Sequence, residues 1–382
     1  MTYDYLIRNG RVIDPLRNID RVENVLIRNS KIVEAPVDEV IDAGEIIDAS
    51  GCIVTPGLID FHAHLANRTS QLGLNPDIYF TPNGVTAAVD AGSAGSSGFE
   101  SMVYYVCGLS SITAKAYMNI SPSGIISGLI PECLDPVKFE IKRMEYLFER
   151  YSDYIMGLKV RVGKDFSLER RYEPLKSAME LGERFNCPYY AHIIDPEDSL
   201  DEAMPYFRTG DVFAHCYQGV GAHSIIDTDG KIRRSVLDAR ERGVIMDSAQ
   251  GVRGRNLDIA KRAVDQGFWP DVISADACMP TAYKKTTFSL LRPLMEFYSM
   301  GMPLIDVIRA CTQTPAKLMG MEGLIGTLAP GAQADVAILK LVERPVYLDD
   351  PMGNKFEAGC LFVPQMTIKA GQTLYRQIEF MY

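Results

Sequence analysis

The pattern of apolar and polar positions changes twice along the chain. Residues 1–56 alternate short aliphatic runs with polar turns, in "DYLIRNGRVID", "VENVLIRNSKIVEA" and "EIIDASGCIVTPG". Asn-Gly between two alternating runs is the strongest short hairpin signal, and Asn-Ser repeats the form, so this part is expected to be a small β-meander. From Leu58 the runs become apolar without clean alternation: "LIDFH", "VTAAVDAG", "KAYMNIS", "YIMGLKVR", "PYYAHI", "DVFAHC", "GVIMDS" and "DVISADA". Strands buried on both faces have this texture. Between several of them lie stretches with helical spacing, "FEIKRMEYLFERY", "SLERRYEPLKSAMELGERF" and "RRSVLDARERG". Strands alternating with helices imply parallel pairing through right-handed crossovers.

Eight such units fit an α/β fold of the (β/α)8 TIM-barrel type, here over residues 57–325, a fold that takes about 250 residues. An open doubly wound sheet is the alternative, but no glycine-rich fingerprint follows the first strand, so dinucleotide binding has no support. The β texture returns in "GTLAPGAQADVAILKL" and "MTIKAGQTLYR". Residues 1–56 and 326–382 are therefore expected to pair into one composite β domain, a small β-sandwich.

Composition narrows the function classes. The 382 residues are 47% hydrophobic and 23% charged, an ordinary globular balance. A net charge of −10, without a basic cluster, argues against nucleic acid as a partner. No apolar run is long enough for a bilayer, and "MTYDYLIRNG" lacks the basic and apolar regions of a secretory signal, so no membrane partner is expected. Eight cysteines without a C-x-x-C pair read as free thiols in a reducing, cytoplasmic setting. A small-molecule substrate and a homo-oligomer are the expected partners.

The chemistry concentrates in five histidines. His62 and His64 stand one residue apart at the end of the first barrel run, where positions i and i+2 share a strand face. At the carboxyl end of a barrel strand that face borders the mouth, and two imidazoles there suit a zinc-like ion. His192 and His215 close the fifth and sixth runs, and Asp276 closes the eighth. Lys159 lies inside an apolar strand, where an ammonium must either pair or lose its charge.

With these residues in place, the chain resembles the amidohydrolase superfamily over nearly its whole length. "TPGLIDFHAHL" is similar to that family's first barrel strand and "GTLAPGAQADVAIL" to its returning β segment. The resemblance implies a pair of divalent ions, zinc foremost. His62, His64 and Asp276 would hold one and His192 and His215 the other, with Lys159 bridging them as a carbon dioxide-derived carbamate. It also implies hydrolysis of an amide, cyclic amide or ester by an activated water, with Asp276 as the proton acceptor. Within the family the chain is similar to the dihydroorotase-like, acetyl-mandelate esterase-like group. Dihydroorotases carry H-x-H-x-R, but Ala66 stands at that arginine's position here; Arg68 or Arg161 could substitute. Deaminases place a glutamate three residues after a strand histidine; Gln218 and Asp195 occupy those positions here. A single-metal isomerase or lyase is a further alternative. Arg161, two residues from Lys159, and Arg253 in "DSAQGVRGRN" are candidates for an anionic substrate, Arg255 lies in the same loop, and His223 follows the sixth run. Cys278 reads as a packing thiol.

Overall fold

The computed structural model describes residues 3–36, 41–127, 130–284 and 287–380. The N-terminal part holds β1 (Tyr3–Arg8), β2 (Arg11–Asp14), β3 (Ile19–Val22), β4 (Val25–Arg28), β5 (Lys31–Val33), β6 (Ala43–Asp48) and β7 (Ile53–Pro56). The middle holds β8 (Leu58–Ala63), β9 (Val85–Gly95), β10 (Thr113–Asn119), β11 (Ile155–Val162), β12 (Tyr189–Ile193), β13 (Val212–Ala214) and β14 (Ile245–Asp247). β15 (Val336–Asp349), β16 (Lys355–Lys369) and β17 (Gln372–Arg376) follow.

The expected meander is corrected. β1 and β2 do not pair across Asn9-Gly10; β1 lies in a sheet of order β5-β4-β1-β6, and β2 in one of order β17-β16-β15-β7-β2-β3. Asn9 takes a left-handed φ of 63°, and a Cβ on Gly10 would sit 2.5 Å from Val54 Cγ2. The turn therefore passes the chain from one layer to the other, which lets Ile7 and Val12 share one core. Asn29-Ser30 does make a hairpin, joining β4 to β5 with both residues at positive φ. The shared core also takes Val336, Ile338, Met366 and Ile368 from the C-terminal strands.

β8 to β14 form one parallel sheet in chain order. Amphipathic helices Ile141–Arg150 and Glu173–Phe185 cover it, burying Met144 and Leu147, and Leu175, Ala178 and Leu181. Its inner face carries Ile59, Phe61, Val89, Tyr117, Tyr190 and Val212 in one buried cluster. The eighth apolar run is not a regular strand. Segment 272–277 touches both edges of the sheet by single bridges, Val272 to Asp247 and Ala277 to Ala63. Asp276 interrupts it with a left-handed φ of 49°.

A long antiparallel hairpin, β15–β16, was not legible beforehand at its full length. Its tip reaches the loop after β14. The Asp350 carboxylate accepts from the backbone N of Leu257 (2.7 Å), Met352 (2.8 Å) and Asn354 (3.0 Å). The Asp349 carbonyl accepts from Arg255 Nη2 (2.6 Å) and Arg292 Nη2 (2.8 Å). Arg255, Arg292 and Asp350 are all buried. Replacing Asp350 strands several donors away from water, so Asp350→Ala should cost about 2 kcal/mol or more, read as a lower midpoint in urea unfolding. An unchanged midpoint would show that the tip does not hold the loop.

Candidate metal centre

The cavity of about 460 Å³ at the carboxyl ends of the parallel strands is lined by His62, His64, Lys159, Arg161, His192, Arg253, Asp276 and Cys278, with apolar walls. His62 reaches it through an irregularity. The β8–β9 register shifts between Asp60 and Ala63. Consecutive residues Phe61 and His62 both meet Tyr190, with ring centroids 5.9 and 5.0 Å away, which a flat strand would not permit. Simple alternation therefore does not account for the pair: with the register irregular here, both imidazoles line the cavity.

Asp276 Oδ1 lies 3.5 Å from His62 Nε2 and 3.3 Å from His64 Nε2. Ligand atoms of His62, His215 and Asp276 lie within 4.8 Å of one another. His215 Nε2 is 2.8 Å from His192 Nδ1, so these two rings share a hydrogen bond. His192 Nε2 is buried without a partner. Second contacts orient the rings: His64 Nδ1 meets Ser93 Oγ at 2.8 Å, His62 Nδ1 meets Tyr190 OH at 3.0 Å, and His215 Nδ1 bonds the Ala249 carbonyl. Tyr190 OH in turn donates to Asp247, whose other oxygen accepts from Ser274 Oγ at 2.6 Å. Ser93, Tyr190 and Asp247 carry no motif signal; only their positions on neighbouring strands bring them here.

Lys159 is fully buried, and its Nζ has no hydrogen-bond partner. It lies 4.4 Å from the centre of the Tyr190 ring. Its stem passes over Gly92, where a Cβ would come within 2.3 Å of Lys159 Cγ. Burial pulls the amine down to about 8, the same direction that desolvation drives any ammonium. Burial also holds His62 and His192 well below the usual imidazole range and His215 at about 4. Burial thus favours the uncharged form of Lys159, His62, His192 and His215 beside the Asp276 carboxyl group.

The loop after β14 presses on this set. A Cβ on Gly251 would sit 2.0 Å from Asp276 Oδ2, and one on Gly254 2.0 Å from His215 Nδ1. The two glycines give the loop its close approach, which "DSAQGVRGRN" hinted at only as a glycine-containing rim.

Other candidates fall less centrally. Arg161 lines the cavity but bonds Glu132 through Nε. Arg253 lines it with Nη1 2.5 Å from Asp165 Oδ2. His223 is not among the residues lining it; its carbonyl accepts from Gln218 Nε2 at 2.6 Å, which turns the loop back on itself. Arg68 is exposed and outside the cavity wall, and Arg255 is bonded to Gln250 and the hairpin tip. Burial raises the Cys278 thiol to about 12, as befits a packing residue.

Residues 199–374 match the amidohydrolase family. A deacetylase of Agrobacterium fabrum is 26% identical over 343 residues, 90% of this chain and 82% of that one. A dihydroorotase of Lactococcus lactis is 49% identical over 59 residues, 15% of this chain and 14% of that one. A crystal structure of an adenine deaminase superposes with a TM-score of 0.88 at 25% identity, covering 98% of this chain and 100% of that one. Residues 199–374 are thus an amidohydrolase family segment in a chain similar to deacetylases and dihydroorotases, and these likenesses support a hydrolase acting on C–N bonds.

Proposed function

We propose that the chain is a metal-dependent hydrolase that cleaves an amide, cyclic amide or ester bond in a small, carboxylate-bearing substrate. In this reading residues 57–325 are the catalytic (β/α)8 barrel, and residues 1–56 with 326–382 are its composite β domain. The observation that carries it is the pair of buried, unpartnered nitrogens, Lys159 Nζ and His192 Nε2, in one cavity with His62, His64 and Asp276. Orphaned buried donors are costly unless something completes them. Buried imidazoles, a carboxylate and a lysine amine that burial makes easier to deprotonate fit divalent ions of the zinc type.

His62, His64 and Asp276 would hold one ion and His192 and His215 the other. Lys159 would touch both once its unprotonated amine adds to carbon dioxide and releases a proton, giving a carbamate with oxygen donors. Divalent ions bound here supply Lewis-acid polarisation of a carbonyl and an acidified water. The chain's own residues supply the rest. Asp276, next to both His62 and His64, accepts the proton of the attacking water and returns it to the departing amine or alkoxide. Ser93 and Tyr190 occupy Nδ1 of His64 and His62, leaving Nε2 of each toward Asp276, and the Ala249 carbonyl fixes Nδ1 of His215, whose Nε2 meets His192. A single-ion alternative, as in isomerase or lyase chemistry, draws on the compact group His62, His215 and Asp276.

Metal analysis separates the readings: two ions per chain are expected, and one would favour the single-ion alternative. Lys159→Ala should lose about a thousandfold or more in turnover, with partial rescue by short-chain carboxylic acids that replace the carbamate. Full turnover with two ions retained in that variant would remove Lys159 from the mechanism. Asp276→Asn should keep the fold and lower kcat by about 10²–10⁴-fold, because the water has no acceptor. A near-native kcat would assign the proton to another group.

A further inference from the structure

The seventh parallel strand also ends on a carboxylate. Asp247 closes β14, is fully buried, and is not among the residues lining the cavity. Its two oxygens take hydrogen bonds from three places in the chain. Oδ2 accepts from the Tyr190 hydroxyl on β12. Oδ1 accepts from Ser274 Oγ at 2.6 Å and from the backbone N of Ala249 at 3.2 Å. Each partner leads on to a candidate ligand. Tyr190 OH lies 3.0 Å from His62 Nδ1, the Ala249 carbonyl meets His215 Nδ1, and Ser274 stands two residues before Asp276.

The donors and acceptors along these paths fix where two protons sit. A carbonyl only accepts, so His215 Nδ1 carries its hydrogen and Nε2 keeps its lone pair. Tyr190 has one hydroxyl proton and two neighbours for it. The carboxylate takes it, because a charge-assisted bond is the stronger of the two. His62 Nδ1 must then donate its own hydrogen to the Tyr190 oxygen, since otherwise two lone pairs would face each other in a dry site. His62 Nε2 is left bare, 3.5 Å from Asp276 Oδ1. The Ala249 carbonyl is held as firmly as the hydroxyl. Ala249 has a left-handed φ of 36°, unusual for a residue with a side chain, and its N–H on Asp247 closes the turn that keeps it there.

We propose that Asp247 is a positioning residue shared by both halves of the metal centre: through Tyr190 it sets the tautomer of His62, and through Ala249 it aims the carbonyl that sets His215. The tautomers follow from the hydrogen bonds alone, whereas their use, presenting Nε2 to an ion, rests on the metal-dependent reading above. Asp247→Asn would turn one path around. The amide oxygen stays with its two donors, Ser274 and Ala249, and the amide nitrogen donates to the Tyr190 oxygen. The tyrosine proton then turns to His62 Nδ1, and that ring carries its hydrogen on Nε2, where an ion needs the lone pair. His215 keeps its carbonyl and its tautomer.

The test is proton–nitrogen NMR correlation of the histidine rings in the metal-free chain, which reads each tautomer directly. His62 and His215 are expected as Nδ1–H forms in the wild type, and Asp247→Asn should move His62 alone to the Nε2–H form. Packing lost without this relay would lower the melting temperature and leave both tautomers in place. Cobalt titration against a chelator reads the consequence. Asp247→Asn should weaken one ion by about 10–100-fold and hold the other as in the wild type, whereas Asp247→Ala, which also drops the bond to Ala249, should weaken both. His62 as the Nε2–H form in the wild type, or an unmoved His62 in Asp247→Asn, overturns the proposal. A second ion held as in the wild type by Asp247→Ala overturns its Ala249 arm. A wild type that binds no cobalt but shows the expected tautomers overturns the metal-dependent reading and leaves the tautomer relay standing.

Discussion

A dry cavity that disfavours charge on the nitrogen groups it holds is the constraint from which the rest of this molecule follows. Lys159, His62, His192 and His215 are all removed from water, and each is held below its ordinary range by burial. Charging any of them there would cost several kcal/mol without a counter-ion. The surroundings supply dryness, which outweighs the counter-charge of Asp276 and Asp247. Phe61, Tyr117 and Tyr190 pack into one aromatic floor, with ring centroids 5.0 to 6.2 Å apart. Gly92 leaves the room in which the lysine stem lies, and any larger residue there would collide with it. What remains is a set of free lone pairs, the form in which amines and imidazoles are ligands and nucleophiles.

How much of this was readable in advance depends on whether a feature is encoded along one strand or between several. Strand ends are linear information, so His62, His64, His192, His215 and Asp276 could be named from runs that stop at them. Lys159 was conspicuous because a charge interrupts an apolar run. The partners that orient these groups were invisible, since Ser93, Tyr190, Asp247 and Glu132 matter only through strand registry and loop return. Local turn chemistry misled at Asn9-Gly10, where the same left-handed turn that makes a hairpin instead transfers the chain between layers. His223 lies in a loop near the mouth and is not among the residues that line the cavity.

The C-terminal hairpin shows why the distant β part matters to the cavity. Asp349 and Asp350 hold Arg255 and the start of helix Leu257–Val264. Arg255 in turn holds Gln250, in the loop whose glycines abut Asp276 and His215. Two positions at the site also carry left-handed backbone, His215 at φ 57° and Asp276 at φ 49°. Such conformations persist only where the surroundings over-determine them. A rigid buttress outside the sheet is therefore part of what keeps the donor set converged.

The electrostatics of the cavity then decide what can enter. Asp165 answers Arg253 and Glu132 answers Arg161. Asp276 is the carboxylate left facing the imidazoles. Divalent ions added to such a site leave it with a positive surplus, and the nearest fixed cation is Arg161, whose own counter-ion is turned away from the cavity. An anionic substrate lowers that surplus in a low-dielectric volume, where each charge counts for more than in water.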